Sequence, residues 1–108
     1  MKRPTLQEKL RWLLEDLQGY QPEKVILFGS AARGDADEHS DLDVVVIKQT
    51  HQPFVQRGIE AIRHVRLEIG AVDLLVYTPE EFQRMREDEN PFIERVLADG
   101  RVLYEKAA

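Results

Sequence analysis

The sequence contains no cysteine, which excludes disulfide bonds and thiolate metal sites and permits a reducing compartment. It has no run that approaches the ~20 apolar residues of a membrane-spanning helix. Its first residues lack the apolar stretch of a secretory signal peptide, and no repeat or low-complexity tract follows. We therefore expect a cytoplasmic protein with no membrane-spanning segment.

Basic residues are in the minority, because 15 Lys and Arg stand against 20 Asp and Glu, for a net charge of −5. Non-specific binding to nucleic acid relies on basic side chains that displace counterions, so we expect no nucleic-acid partner. An anionic small ligand can still bind where donors are arranged locally. The length of 108 residues, with 43% hydrophobic and 32% charged residues, predicts one globular domain over residues 1–108.

The spacing of apolar residues predicts a mixed α/β domain in which helices cover a short mixed sheet. A capping box of Thr5 and Glu8 precedes a leucine stripe and marks the first helix. Thr-Pro at 78–79 and Asn-Pro at 90–91 mark two later helix starts. The expected strands cover residues 25–28, 41–47, 71–77 and 101–104, and the expected helices cover 6–17, 53–66 and 91–98, with another beginning at 79.

Three aspartates stand in or beside the apolar runs of predicted strands. Asp41 and Asp43 are two residues apart, so in a strand their side chains share one face. Asp73 lies inside an apolar run, where we expect a buried carboxylate that needs compensation. If the two strands are neighbours, three carboxylates converge. Two charges about 4 Å apart repel by about 4 kcal/mol at an effective dielectric of about 20, so a bound Mg²⁺ or Mn²⁺ is the simplest compensation.

A second group of residues, at the end of the first predicted strand, suits an anion. Gly29 lets an anion approach the backbone, and Ser30 adds a hydroxyl donor where a helix is expected to begin. Arg33, one turn later, would bring a guanidinium to the same oxygens. Anion donors on one wall and metal ligands on the facing wall suit a metal-bound triphosphate.

Each of these residues also has an ordinary structural explanation. Ser30 fits a helix N-cap equally well, and Arg33 fits a surface ion pair. An isolated Asp-x-Asp is usually a solvated turn. The acidic loop 35–38 is expected to be a solvated surface without function. A purely structural explanation leaves a buried Asp73 unaccounted for.

Together these residues resemble a known family. Gly29-Ser30, ten further residues and Asp41-Leu42-Asp43 have the spacing of the nucleotidyltransferase signature in the polymerase-β-like superfamily. The string GSAARGDADEHSDLDVVV resembles that of the minimal nucleotidyltransferases. The later Val72-Asp73-Leu74 matches the third carboxylate of that group, and residues 93–104 are typical of it. The resemblance covers nearly the whole chain.

The resemblance implies a polymerase-β-like catalytic domain with a defined reaction. A nucleoside triphosphate, ATP by family expectation, binds with two Mg²⁺ ions, an acceptor hydroxyl attacks the α-phosphorus, and pyrophosphate leaves. Carried over by position, Asp41 and Asp43 would bridge the ions. Asp73 would complete the ion that activates the acceptor hydroxyl. Gly29 and Ser30 would hold the β- and γ-phosphates.

The resemblance also implies a protein partner. The predicted elements use the chain up to about residue 105, so we expect the acceptor to be brought by another molecule. In the minimal nucleotidyltransferases that partner is a HEPN-domain toxin, a helical ribonuclease. The nucleotidyltransferase acts as antitoxin and transfers AMP to a tyrosine of the toxin. The chain is then expected in a hetero-oligomer with the toxin or as a homo-oligomer.

Two other functions stay open at this point. The chain could be a binding antitoxin that neutralises its partner by occlusion without catalysis. It could also nucleotidylate a small molecule such as an aminoglycoside, although no second domain for such an acceptor is expected.

Overall fold

In the computed structural model, which describes residues 3–37 and 40–107, four strands form one sheet and helices pack against it. The longest described helix has 12 residues, or about 18 Å at 1.5 Å per residue. Within the described ranges no helix is long and apolar enough to cross a membrane. The elements are α1 (Leu6–Leu17), β1 (Lys24–Phe28), α2 (Gly29–Arg33), β2 (Leu42–Ile47), α3 (Phe54–Ile62), β3 (Val72–Tyr77), α4 (Pro79–Glu87), α5 (Pro91–Asp99) and β4 (Arg101–Glu105), with 3₁₀ turns at Gln18–Tyr20 and Leu67–Ile69.

The predicted capping box begins α1. The backbone N–H of Glu8 donates to the Thr5 hydroxyl at 3.1 Å, and the Thr5 N–H donates to the Glu8 carboxylate at 3.2 Å. Two donors without partners inside the helix are thereby satisfied. The leucine stripe then places Leu13 and Leu17 in the core with no exposed surface. Local sequence chemistry therefore accounts for both the start and the packing face of α1.

The sheet has the strand order β3-β2-β1-β4. β1 runs antiparallel to both β2 and β4, whereas β2 and β3 are parallel and joined through α3. A parallel pair needs such a crossover connection, because a tight hairpin can only join antiparallel strands. The result is the expected mixed α/β domain, with β1 and β2 in the centre and β3 and β4 at the edges.

Each face of the sheet carries its own apolar core. Alternate residues of β1 and β2 point to opposite faces, and the consecutive buried residues show that both central strands are buried on both sides. An apolar run without alternation, such as residues 44–47, is typical of such a strand. The α1 and α3 side contains Leu13, Leu17, Tyr20, Val25, Leu27, Ala31, Leu42, Val44, Val46, Ala61, Ile69 and Val76. The α4 and α5 side contains Ile26, Val45, Ile47, Phe82, Ile93 and Val96.

Helix α3 is shorter than predicted. It ends at Ile62 rather than near residue 66. Arg66 has an extended backbone with ψ 146°, and its N–H donates to the Asp16 carboxylate at 2.9 Å. The hydrogen bond to α1 replaces the one that a continued helix would make. The apolar side chains of Phe54, Ile59 and Ile62 are partly exposed, whereas Arg57 and Ala61 are the buried residues of this helix.

Candidate active site

Strand register brings two of the predicted aspartates side by side. Asp43 pairs with Phe28 of β1 on one side and with Asp73 of β3 on the other. Neighbouring strands lie about 4.8 Å apart, so these two carboxylates emerge from adjacent backbones on the same face. The strands are therefore neighbours, as convergence of the carboxylates requires. The end of β1 and the beginnings of β2 and β3 lie together at one end of the sheet.

The expected burial of Asp73 was wrong. Its side chain is exposed, although it lies inside the apolar run of β3. The reason is that β3 is an edge strand with one neighbour, and Asp73 is only its second residue. Asp73 therefore needs no compensation for burial. Its significance comes from its place next to Asp43 instead.

The expected place of Asp41 in a strand was also wrong by one residue. β2 begins at Leu42, whose N–H donates to the Ala71 carbonyl at 3.1 Å, so Asp41 lies just outside the ladder and is exposed. Asp41 still lies close enough to Asp43 for its negative charge to raise the pKa of the Asp43 carboxyl. The two aspartates therefore share the site without sharing a strand.

The electrostatics of the site centre on Asp43. Partial burial raises the pKa of its carboxyl, and the like charges of Asp73 and then Asp41 raise it further, while Arg33 lowers it. Three carboxylates thus create a negative potential that one guanidinium only partly offsets. Among residues 3–37 and 40–107, no three Asp, Glu or His side chains are already arranged around one point as metal ligands. The chemistry of the donors nevertheless fits a hard divalent cation, which would relieve this repulsion.

Gly29 is required by the geometry at the start of α2. Its φ is +71°, a region that favours glycine, and a Cβ at this position would overlap the Asp43 carboxylate. The residue therefore allows the backbone to lie directly against Asp43. Phe28 occupies the N-cap, so Ser30 is the second helical residue and the N-cap explanation for it was wrong. The first N–H groups of a helix have no partner within it and are available to an anion.

The surface ion pair expected of Arg33 is present, whereas its contact with a phosphate stays a prediction. Its Nε donates to the Asp35 carboxylate at 3.1 Å in an exposed ion pair, and its charge also reaches Asp43. An exposed pair of this kind contributes little to stability, so the guanidinium can exchange Asp35 for another anion at small cost. Asp35 and Asp37 are exposed, as expected of the acidic loop, whereas Glu38 lies outside the described residues.

A comparison with protein families shows which family the chain belongs to. The model of the family described as "Polymerase beta, Nucleotidyltransferase" matches residues 8–108, which include every residue of the site. The chain belongs to the polymerase-β nucleotidyltransferase family. The resemblance carried by the Gly-Ser and Asp-x-Asp signature is thus confirmed at the level of the family and of the fold.

One curated relative and one solved structure are similar to this chain. A protein of Methanocaldococcus jannaschii, named "Putative protein adenylyltransferase", is 36% identical over 81 residues, which cover 75% of this chain and 77% of the relative. The crystal structure of a protein from Sulfolobus solfataricus, described as a nucleotidyltransferase by inference, matches with a TM-score of 0.58 at 24% identity. That match covers 91% of this chain and 84% of the other, and it shows the shared fold alone.

The nucleotidyltransferase also has a cleft that sequence reasoning missed. It lies between α5 and the turn from β1 into α2, has a volume of about 160 Å³, and includes Arg95 and Phe92 of α5 in its lining. The Phe92 ring packs edge-to-face on Phe28, with centroids 5.4 Å apart. No local signal identifies Arg95, because its position beside Gly29 depends on how α5 packs across the sheet.

Proposed function

We propose that this nucleotidyltransferase transfers AMP from ATP to a hydroxyl group of a protein partner. The observation that carries the proposal is the strand register that places Asp43 beside Asp73, with the backbone of Gly29 directly against the Asp43 carboxylate. Acidic ligands and backbone donors for phosphate then lie at one end of the sheet. A metal-bound triphosphate needs both.

Each residue of the site has a role in this reaction. Asp41 and Asp43 would hold the divalent cations, and Asp73 would supply a further ligand. Two Mg²⁺ ions, or Mn²⁺, would supply charge neutralisation and polarise the attacking and leaving oxygens when bound. The register pairs Asp43 with Asp73, so the side chains of these two residues lie on the same face of the sheet.

The phosphate side of the site comes from α2. The backbone at Gly29 and the hydroxyl of Ser30 donate to the β- and γ-phosphates, and Arg33 exchanges its pair with Asp35 for a phosphate oxygen. The acceptor oxygen then forms a bond to the α-phosphorus, and the bond from that phosphorus to the β-bridging oxygen breaks. Pyrophosphate leaves with the electron pair, and the hydroxyl proton passes to solvent.

The acceptor is proposed to be a HEPN-domain toxin, which would make the chain an antitoxin. Support comes from the minimal nucleotidyltransferase resemblance and from the relative whose name describes protein adenylylation. Exposed apolar side chains on α3 add support for a protein partner, since such patches mark interaction surfaces. They are Phe54, Val55, Ile59 and Ile62.

The test is transfer of AMP to the partner. The purified chain would be incubated with Mg²⁺, ATP and a HEPN-domain protein encoded beside it, and the intact mass of that protein would be measured. We expect a gain of one or more AMP units that disappears in the Asp41→Asn/Asp43→Asn variant. Asp88→Asn, an exposed acid at the end of α4, is the control and should leave transfer intact.

The opposite outcomes distinguish the other functions. A stable complex that silences the partner without any mass gain would leave a binding antitoxin that acts by occlusion. Mass gain on an aminoglycoside, with none on the protein, would indicate a small-molecule nucleotidyltransferase.

A further inference from the structure

Arg95 is a cationic side chain beside the candidate phosphate site. It is exposed on α5 and lines the same cleft as Gly29 and Arg33. Within the described part of the chain, its guanidinium makes neither an ion pair nor a side-chain hydrogen bond. Arg33, the other arginine of the cleft, pairs with Asp35.

The order of the site residues across the sheet indicates which part of the nucleotide lies in this cleft. Asp73 lies on the outer strand, Asp43 on the next, and Gly29 follows the third, with the α5 cleft beyond it. In an in-line displacement, the attacking and leaving oxygens lie on opposite sides of the phosphorus. With the acceptor hydroxyl beside Asp73, as in the proposed reaction, the leaving group of the α-phosphorus lies on the Gly29 side, toward the cleft.

The size and lining of the cleft favour phosphate over a nucleobase. Its volume of about 160 Å³ lies below the roughly 300–1,000 Å³ of pockets that enclose drug-sized ligands, so only part of a nucleotide fits. Phe28 and Phe92 pack edge-to-face on each other. The charged side chains of the lining are Arg33, Arg95 and Asp99, so the two arginines are its cations.

We propose that Arg95 binds the terminal phosphates of the nucleotide and the pyrophosphate that forms from them. This assignment rests on the proposed function, because the ligand is the nucleotide substrate of that same site. The planar guanidinium of Arg95 donates two parallel hydrogen bonds to phosphate oxygens. Arg95 is thus a specificity residue that distinguishes ATP and pyrophosphate from AMP.

The experiment measures binding by titration calorimetry, without a protein acceptor, for ATP, pyrophosphate and AMP in the presence of Mg²⁺. Arg95→Ala should weaken ATP and pyrophosphate by about 10-fold or more and leave AMP within about 2-fold, since only charged phosphate contacts are lost. Arg95→Lys should retain part of the affinity, because the charge stays and the bidentate geometry does not. Arg86→Ala on α4 removes the same charge away from the cleft and should have no effect.

Substitution of Asp99 gives a second variant, for which the expected change in phosphate affinity is opposite in sign. The Asp99 carboxylate also lines the cleft and repels an anion there, so Asp99→Asn should strengthen pyrophosphate binding. Equal affinities in Arg95→Ala and Arg86→Ala would overturn the assignment while leaving AMP transfer untouched. A parallel loss of AMP affinity would also overturn it, in favour of a base site. If the wild type transfers no AMP yet shows the Arg95 dependence, the proposed reaction fails and the phosphate assignment stands.

Discussion

Gly29 is the single residue on which the geometry of the site depends most directly. Its positive φ turns the chain out of β1, and its missing side chain leaves room for the Asp43 carboxylate. Gly34 at the end of α2 has a positive φ too, but a Cβ there would meet nothing within 4 Å. Substitutions at Gly29 and Gly34 can therefore be compared. At both positions a side chain strains the left-handed backbone, but only at Gly29 does it also collide with the Asp43 carboxylate.

We expect Gly29→Ala to reduce AMP transfer by at least about 100-fold, because a displaced Asp43 carboxylate no longer lies in productive geometry. Gly34→Ala should cost about 1–2 kcal/mol of folding free energy through its left-handed backbone and leave transfer nearly unchanged. Transfer assays and urea unfolding of both variants provide the measurements. Equal transfer by the two variants would contradict the close approach of Gly29 to Asp43.

At the scale of the elements, an ion pair joins α3 to α4 beside the edge strand β3. Arg57 of α3 is 7% exposed, and its Nη1 lies 2.6 Å from Oε1 of Glu81 in the first turn of α4. Its Nε donates to the Gln52 carbonyl at 2.7 Å. Glu81 also closes the capping box with Thr78, so one carboxylate links two helices that lie on opposite faces of the sheet.

We expect Arg57→Met to lower the free energy of unfolding by about 1–3 kcal/mol at pH 7, since Glu81 and two backbone groups lose a donor. The hydrogen bond from Arg57 is the main cause that lowers the pKa of Glu81, against burial that raises it. A lowered pKa stabilises the fold above the unfolded value of about 4.3 and loses that effect as pH falls through the folded value. The difference between wild type and variant should therefore shrink below about pH 4.

The control for this pair is Arg63→Met, which removes an exposed arginine at the end of the same helix and should change stability by no more than about 0.5 kcal/mol. Denaturant unfolding from pH 3 to pH 7 checks both variants. A loss in Arg57→Met that is the same at every pH would show that packing of the side chain, rather than its pair with Glu81, stabilises the fold.

The whole molecule consists of two small cores separated by one sheet. Ile69 belongs to the core under α1 and α3, and Ile93 belongs to the core under α5. Both side chains are almost fully buried. Because the strands of the sheet lie between them, their packing energies should be independent. That residues 1–108 form one complete domain stays a prediction.

We expect Ile69→Val and Ile93→Val to cost about 0.5–1.5 kcal/mol each and to add within about 0.5 kcal/mol in the double variant. The matched pair Ile26→Val and Ile93→Val lies within one core and should deviate more from additivity. Thermal and denaturant unfolding of the five variants gives the coupling energies. Stronger coupling across the sheet than within one core would contradict the two-core description.

Local chemistry in the sequence was sufficient to predict much of this protein. The capping boxes at Thr5 and Thr78 are formed as expected, since both partners lie three residues apart and need no distant contact. The apolar runs identified all four strands. The spacing from Gly29-Ser30 to Asp41-Leu42-Asp43 identified the family, which the match over residues 8–108 confirms. Their individual roles in the reaction stay predictions.

Only the tertiary structure decided which residues meet across the sheet and how much water each one contacts. The exposure of Asp73 follows from the edge position of β3, and the pair of Arg57 with Glu81 follows from helices placed on both sides of that edge. The cleft beside Arg95 exists because α5 packs across β1 and α2. A periodic pattern specifies which face of an element is apolar. It does not specify the neighbour of that element, because strand order and register depend on contacts between residues far apart in the chain.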